Sequence, residues 1–166
     1  MDRKKSIELL NKAVADELHA VHQYMYFHFH LDDLGFGPLA TLFKQTAIEE
    51  MVHIELLAER ILFLKGDVEM VPSAAVDKIN EPEKMLIKAA QMEEQSAADY
   101  NESALACSAN ADSASKQIFE RLVGDEERHF DQYDKQLVNI KRFGGDYLAL
   151  QSFGRSESGA SAAPGE

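Results

Sequence analysis

Six residues in this 166-residue chain combine types and spacing that suit metal chemistry: Glu17, Glu50, His53, Glu93, Glu126 and His129. The run Glu49-Glu50-Met51-Val52-His53-Ile54-Glu55 is repeated in kind by Asp125-Glu126-Glu127-Arg128-His129-Phe130-Asp131, an acidic-Glu-x-x-His-apolar-acidic pattern displaced by 76 (126 − 50 = 129 − 53 = 76). The same displacement carries Glu17 to Glu93, and each lone Glu precedes its Glu-x-x-His by 33 (50 − 17 = 126 − 93 = 33). A Glu and a His three apart on a helix share one face, so both can reach a single ion. Acidic helices produce one Glu-x-x-His by chance. Two copies, each with a Glu at the same distance upstream, are not chance.

These residues lie where apolar ones belong. The first segment reads Ile7, Leu10, Val14, Glu17, Val21, Tyr24, His28, Leu31, and the second Leu39, Phe43, Thr46, Glu50, His53, Leu57, Ile61, Leu64. The third reads Leu86, Ala89, Glu93, Ser96, Tyr100, Ser103, Cys107, and the fourth Phe119, Leu122, Glu126, His129, Tyr133, Leu137, Ile140. Alternating steps of three and four mark the inward stripe of an amphipathic helix. Four carboxylates on such stripes are costly to bury and repel one another. Two divalent or trivalent metal ions resolve both problems, and carboxylate with imidazole suits iron or manganese.

The elements that must position them follow from the breaks. Gly35, Gly37 and Pro38 interrupt the chain first, residues 66–82 second, Asn110 to Ser113 third, with Asp112 as a helix N-cap, and Gly144-Gly145 last. Short turns join the first helix to the second and the third to the fourth, and residues 67–81 are long enough to run the length of a bundle. That predicts an all-α four-helix bundle with one long crossover between helices 2 and 3. Residues 146–153 are expected to add a short fifth helix, and residues 154–166, low in complexity, a disordered tail.

The formal charge of 17 − 29 = −12 argues against nucleic acid, which needs a basic footprint, and favours a cationic partner. One cysteine, Cys107, excludes an internal disulfide framework and a cysteine-based zinc cluster. Glu8 interrupts what a signal peptide would keep apolar, and no apolar run spans a membrane, so a cytoplasmic protein is expected.

The whole resembles the bacterioferritins of the ferritin-like di-iron superfamily over residues 4–153. Besides the metal motif, the likeness rests on Asp-Glu-Leu-His-Ala-Val-His-Gln-Tyr at 16–24, on Met51, and on Glu-Arg-Ile-Leu-Phe-Leu-Lys-Gly at 59–66. The resemblance implies a ferritin-like bundle and two iron ions per subunit, with Glu50 and Glu126 bridging, Glu17 and Glu93 terminal, and His53 and His129 each on one iron. Tyr24, two turns beyond Glu17, matches a tyrosine near the family's centre; it is a hydrogen-bond partner, an electron donor or an ordinary core residue. Glu49 and Asp125 are candidate partners of the histidines.

Met51 lies ~100° round the helix from Glu50 and so faces a neighbour. There it is an interface packing residue or, as the resemblance implies, a haem ligand shared across a two-fold dimer, one haem per subunit pair. Leu18, Met25 and Phe29 suggest a dimer face on the first helix. The implied function is iron storage: oxidation of Fe²⁺ by O₂ or H₂O₂, with Fe³⁺ mineral held in a 24-subunit cage and a ferredoxin-type reductant for release. Two alternatives stand beside it. One is a di-iron peroxidase or oxygenase that stores nothing; the other is a Dps-type miniferritin, whose metal site lies between subunits.

Overall fold

A computed structural model describes residues 1–153; the tail expected at 154–166 lies outside them. Helices α1 (Arg3–Asp33), α2 (Gly37–Phe63), α3 (Pro82–Ala109) and α4 (Ser113–Phe143) form the bundle, and α5 (Gly145–Gln151) follows. The fifth helix begins one residue earlier and ends two residues sooner than the pattern implied.

Helix ends follow local chemistry. Asp2 caps α1 by accepting from the Lys4 N–H, and Asp112 caps α4 by accepting from Ser115. Pro38 and Pro82 stand in the first turns of α2 and α3, where a missing N–H costs nothing. Gly35 adopts φ +81° after α1, a left-handed turn that glycine enters without strain.

α1 pairs with α2 and α3 with α4 as antiparallel hairpins. The connection at 64–81 runs back along α1, held by two side-chain amides. Asn11 donates to the Asp67 carbonyl at 2.9 Å and accepts from the Glu69 N–H at 2.9 Å. Gln23 does the same at Asp77, donating at 3.0 Å and accepting at 2.7 Å. Between them the Ser73 N–H reaches the Ala15 carbonyl at 2.9 Å. α3 therefore starts at the end of the bundle opposite to where α2 stops.

The apolar core is divided. One cluster gathers Phe27, Leu31, Leu39, Phe43, Leu86 and Tyr133, and the other Leu10, Val14, Leu57, Ile61, Phe119 and Leu122. Between the two lies a polar layer at mid-helix. On α1 the core takes in Ala20 and Phe27, while Val21 and His28 are only half-buried. The stripe turns because 3.6 residues per turn drifts against a 3.5 repeat.

Candidate metal centre

All six residues singled out by the repeat meet in that polar layer. Glu17, Glu50, Glu93, Glu126 and His129 are at most 2% exposed and His53 is 6% exposed. Their donor atoms fall into two sets, Glu17, Glu50, His53, Glu126 and Glu50, Glu93, Glu126, His129, and within each set the atoms lie within 4.8 Å of one another. Glu50 and Glu126 belong to both sets, so each can contribute to two ions at once.

The histidines are oriented. Nδ1 of His53 lies 2.8 Å from Glu50 and 3.3 Å from Glu126, and Nδ1 of His129 lies 3.1 Å from Glu50. Both Nδ1 atoms thus face the cluster. The outer nitrogens point away: His129 Nε2 donates to Glu49 Oε2 at 2.8 Å, and His53 Nε2 lies 3.4 Å from Asp125 Oδ2. A carboxylate on Nε2 keeps the proton there and leaves the Nδ1 lone pair for a metal. Glu49 and Asp125 are therefore partners of the histidines, but crossed: each serves the histidine of the opposite hairpin, not the one a turn along its own helix.

Tyrosines hold the remaining carboxylates in the same crossed manner. Tyr24 donates to Glu93, and Tyr100 donates to Glu17 at 2.7 Å. Of the three roles the sequence left open for Tyr24, the geometry gives it that of hydrogen-bond partner, fixing the Glu93 carboxyl. Tyr100 was not singled out from the sequence, although the displacement of 76 carries Tyr24 onto it (24 + 76 = 100). Arg128 is a second residue the repeat did not reveal. Its guanidinium donates to Glu49 at 2.6 Å and to Asp125 at 3.1 Å.

The electrostatics show what the layer lacks. Burial and the Glu50 charge push the Glu17, Glu93 and Glu126 carboxyls above their ordinary range. Against burial, His129 and His53 hold Glu50 down at about 2. Against burial again, Glu50 and Glu93 raise His129 to about 11, and Glu126, Glu17 and Glu50 raise His53. Both oxygens of Glu50, Oε1 of Glu126 and Nδ1 of His129 are buried without a hydrogen bond. Orphaned polar atoms in a dry core, above all the carboxylate oxygens, are costly unless a cation joins them. Four carboxylates carry −4 and two divalent ions +4, so two such ions neutralise the layer. The residues fit a pair of metal ions.

Comparison with known proteins agrees with this geometry. The ferritin family, described by its ferritin-like domain, matches residues 7–143. Bacterioferritin of Desulfovibrio desulfuricans is 39% identical over 155 residues, covering 89% of this chain and 83% of that one. The chain belongs to the bacterioferritin family. Another bacterioferritin, from Brucella melitensis, is 36% identical over 84% of this chain and 87% of its own length. A crystal structure of the Desulfovibrio desulfuricans bacterioferritin, a protein with a di-iron site, in its cycled form, reduced in solution and allowed to reoxidise before crystallisation, superposes with a TM-score of 0.92. That match has 35% sequence identity and covers 99% of this chain and 95% of that one. As a bacterioferritin-family bundle, the chain carries every donor of its paired site within one subunit.

Met51 stands apart from the cluster. It is 46% exposed on α2, and Phe29 on α1 is 62% exposed. Leu18 and Met25 are half-buried. No helix among the described residues is long and apolar enough to cross a membrane.

Proposed function

We propose that this chain oxidises Fe²⁺ at the paired site and stores the product. The observation that carries the reading is the two four-donor sets sharing Glu50 and Glu126 inside one bundle. Shared carboxylates hold two ions side by side, so a single two-electron oxidant can take one electron from each. With H₂O₂ the balance is two Fe²⁺, one H₂O₂ and two protons giving two Fe³⁺ and two waters. With O₂ the same electrons and two protons yield H₂O₂. Hard anionic oxygens favour Fe³⁺ over Fe²⁺, so the donor set itself drives the oxidation.

In this reading Glu17, Glu93, His53 and His129 are terminal ligands, and Glu50 and Glu126 bridge. Tyr24 and Tyr100 fix the terminal carboxylates. The product passes into a 24-subunit cage built from dimers in the cytoplasm, and a ferredoxin-type reductant returns the iron. A miniferritin arrangement is disfavoured because its site takes donors from two chains.

The test is aerobic addition of excess Fe²⁺ with measurement of iron retained per chain. Retention of only about two irons would refute storage and favour a non-storing di-iron enzyme. Glu93→Ala and Glu126→Ala should abolish rapid oxidation while assembly persists; unchanged rates would displace the site.

Haem binding by Met51 forms a second part of the proposal. An exposed thioether is a soft ligand suited to haem iron, and its place outside the bundle core lets a second copy supply the opposite methionine. Haem there would carry electrons between the outside and the stored iron. Equal haem absorption in wild type and Met51→Leu would remove Met51 as the ligand.

A further inference from the structure

The displacement of 76 extends beyond the ligands. As it carries Tyr24 to Tyr100, it carries Leu10 to Leu86 and Phe43 to Phe119, so the layers on the two sides of the centre are built from matching residues. Two positions next to the centre break the match. Thr46 corresponds to Leu122 (46 + 76 = 122) and Tyr133 to Leu57 (133 − 76 = 57). Both exceptions fall on the same side. Tyr133 belongs to the cluster with Phe43, and Leu57 and Leu122 to the cluster across the polar layer.

Tyr133 is fully buried. Its ring stacks on Phe43 with centroids 5.0 Å apart and meets that of Tyr24 at 5.8 Å. A long side chain on a helix leans over the turn before its own, which here is the turn of His129. Burial, and then the Glu93 charge, push its hydroxyl well above the ordinary phenol range; Glu50 and Glu126 add to this, and the Thr46 hydroxyl nearby opposes it. The hydroxyl therefore lies at the edge of the carboxylate cluster, yet it makes no hydrogen bond. Tyr24 and Tyr100 give their protons to Glu93 and Glu17, and Thr46 Oγ1 donates to the Leu42 carbonyl at 3.2 Å. A buried phenol with nothing to donate to costs stability that an apolar side chain would not. Leu57 fills the equivalent place without that cost.

We infer that the oxidant meets the metal pair on the Thr46–Tyr133 side, where the Tyr133 hydroxyl donates a hydrogen bond to one of its oxygen atoms. The inference rests on the paired site and the oxidation proposed above. Four donors per ion leave open positions, as carboxylate and histidine sites for iron commonly do. On the far side Leu57 and Leu122 offer no hydrogen bond, so the centre has one polar face and one apolar face. O₂ and H₂O₂ share the feature this donor recognises, a small oxygen atom with a free lone pair. Tyr133 touches the substrate in this reading and is a catalytic residue.

The full chain loaded with Co²⁺ and titrated with azide, a small anion with free lone pairs, tests it through the visible spectrum of the metal. Tyr133→Phe should hold as much Co²⁺ as wild type and bind azide about tenfold more weakly, the loss of one hydrogen bond. Leu57→Met, on the apolar side, should bind azide as wild type does. Without metal, Tyr133→Phe should melt at or above the wild-type Tm, because only an unpaired hydroxyl is lost. With Fe²⁺ in place of Co²⁺, Tyr133→Phe should raise the KM for H₂O₂. A wild type that takes no azide, an unchanged azide affinity or KM in Tyr133→Phe, or an equal loss in Leu57→Met would each overturn the inference. So would a lowered metal-free Tm or a loss of Co²⁺ in Tyr133→Phe, since either gives the hydroxyl a structural role within the protein. Glu126→Ala is the control for the centre: if it removes no Co²⁺, the paired site itself fails, a result separate from any change in azide binding.

Discussion

Filling the paired site with divalent ions must drive protons out of it. Without metal, the surrounding carboxylates hold His53 above the imidazole range and His129 at about 11, so both rings carry a proton on Nδ1 at pH 7. A metal ion needs those lone pairs, and two protons leave. Glu17, Glu93 and Glu126 are also raised, and any proton they share is displaced as well. Four carboxylates balanced by two divalent ions set the upper limit at four. Binding should therefore release about two to four protons per chain. The sign follows: acid competes with metal, and a two-proton release lowers the apparent affinity for the ion pair about 100-fold per pH unit. Anaerobic titration with Mn²⁺ in weak buffer, read by a pH-stat, measures the release directly. His129→Ala should reduce it by about one proton. Release of less than about one proton per chain at pH 7 would refute the reasoning, because the histidines would then already be neutral.

The crossed tyrosines make a paired prediction. Tyr24→Phe and Tyr100→Phe each delete one hydrogen bond to a buried carboxyl and should cost the metal-free protein about 1–2 kcal/mol each, read as a fall in Tm. Strongly unequal losses would mean the two halves are not equivalent. Asp112→Ala removes the α4 cap and the partner of Arg60 at 2.6 Å from a side chain that is 1% exposed. It should cost about 3 kcal/mol by chemical denaturation. Against burial, hydrogen bonds from Ser6, Ser115 and Arg60 hold the Asp112 carboxyl below its ordinary range. Its contribution is therefore complete above about pH 4 and is lost as pH falls through the lowered value. The gap between wild type and variant should narrow in acid; a constant gap would assign the loss to packing.

Much of this was written plainly in the chain. Glu50, His53, Glu126 and His129 stood out because a helix period fixes which side chains share a face, and burial on that face makes a carboxylate conspicuous. Tyr100 is equally legible through the displacement of 76, but a tyrosine on an apolar stripe looks like core. The crossing of Glu49 to His129 and of Asp125 to His53 was not legible. Spacing along one helix places Glu49 a turn from His53, but which neighbour its carboxylate reaches depends on how α2 and α4 face each other. Arg128 was hidden for the same reason, since it breaks the repeat and acts only across helices. The path of residues 64–81 follows from its length, whereas the grip of Asn11 and Gln23 depends on register along α1.

Every crossed contact joins one helical hairpin to the other. The α1–α2 hairpin brings Glu17, Glu50 and His53, and borrows Glu126; the α3–α4 hairpin brings Glu93, Glu126 and His129, and borrows Glu50. A single hairpin bearing Glu17, Tyr24, Glu50 and His53 would, docked about a two-fold axis on its own copy, supply every one of these ligand types. The chain is in effect a tethered homodimer of half-proteins, and its metal pair sits on the seam. Emptying the seam should loosen hairpin from hairpin before either hairpin comes apart.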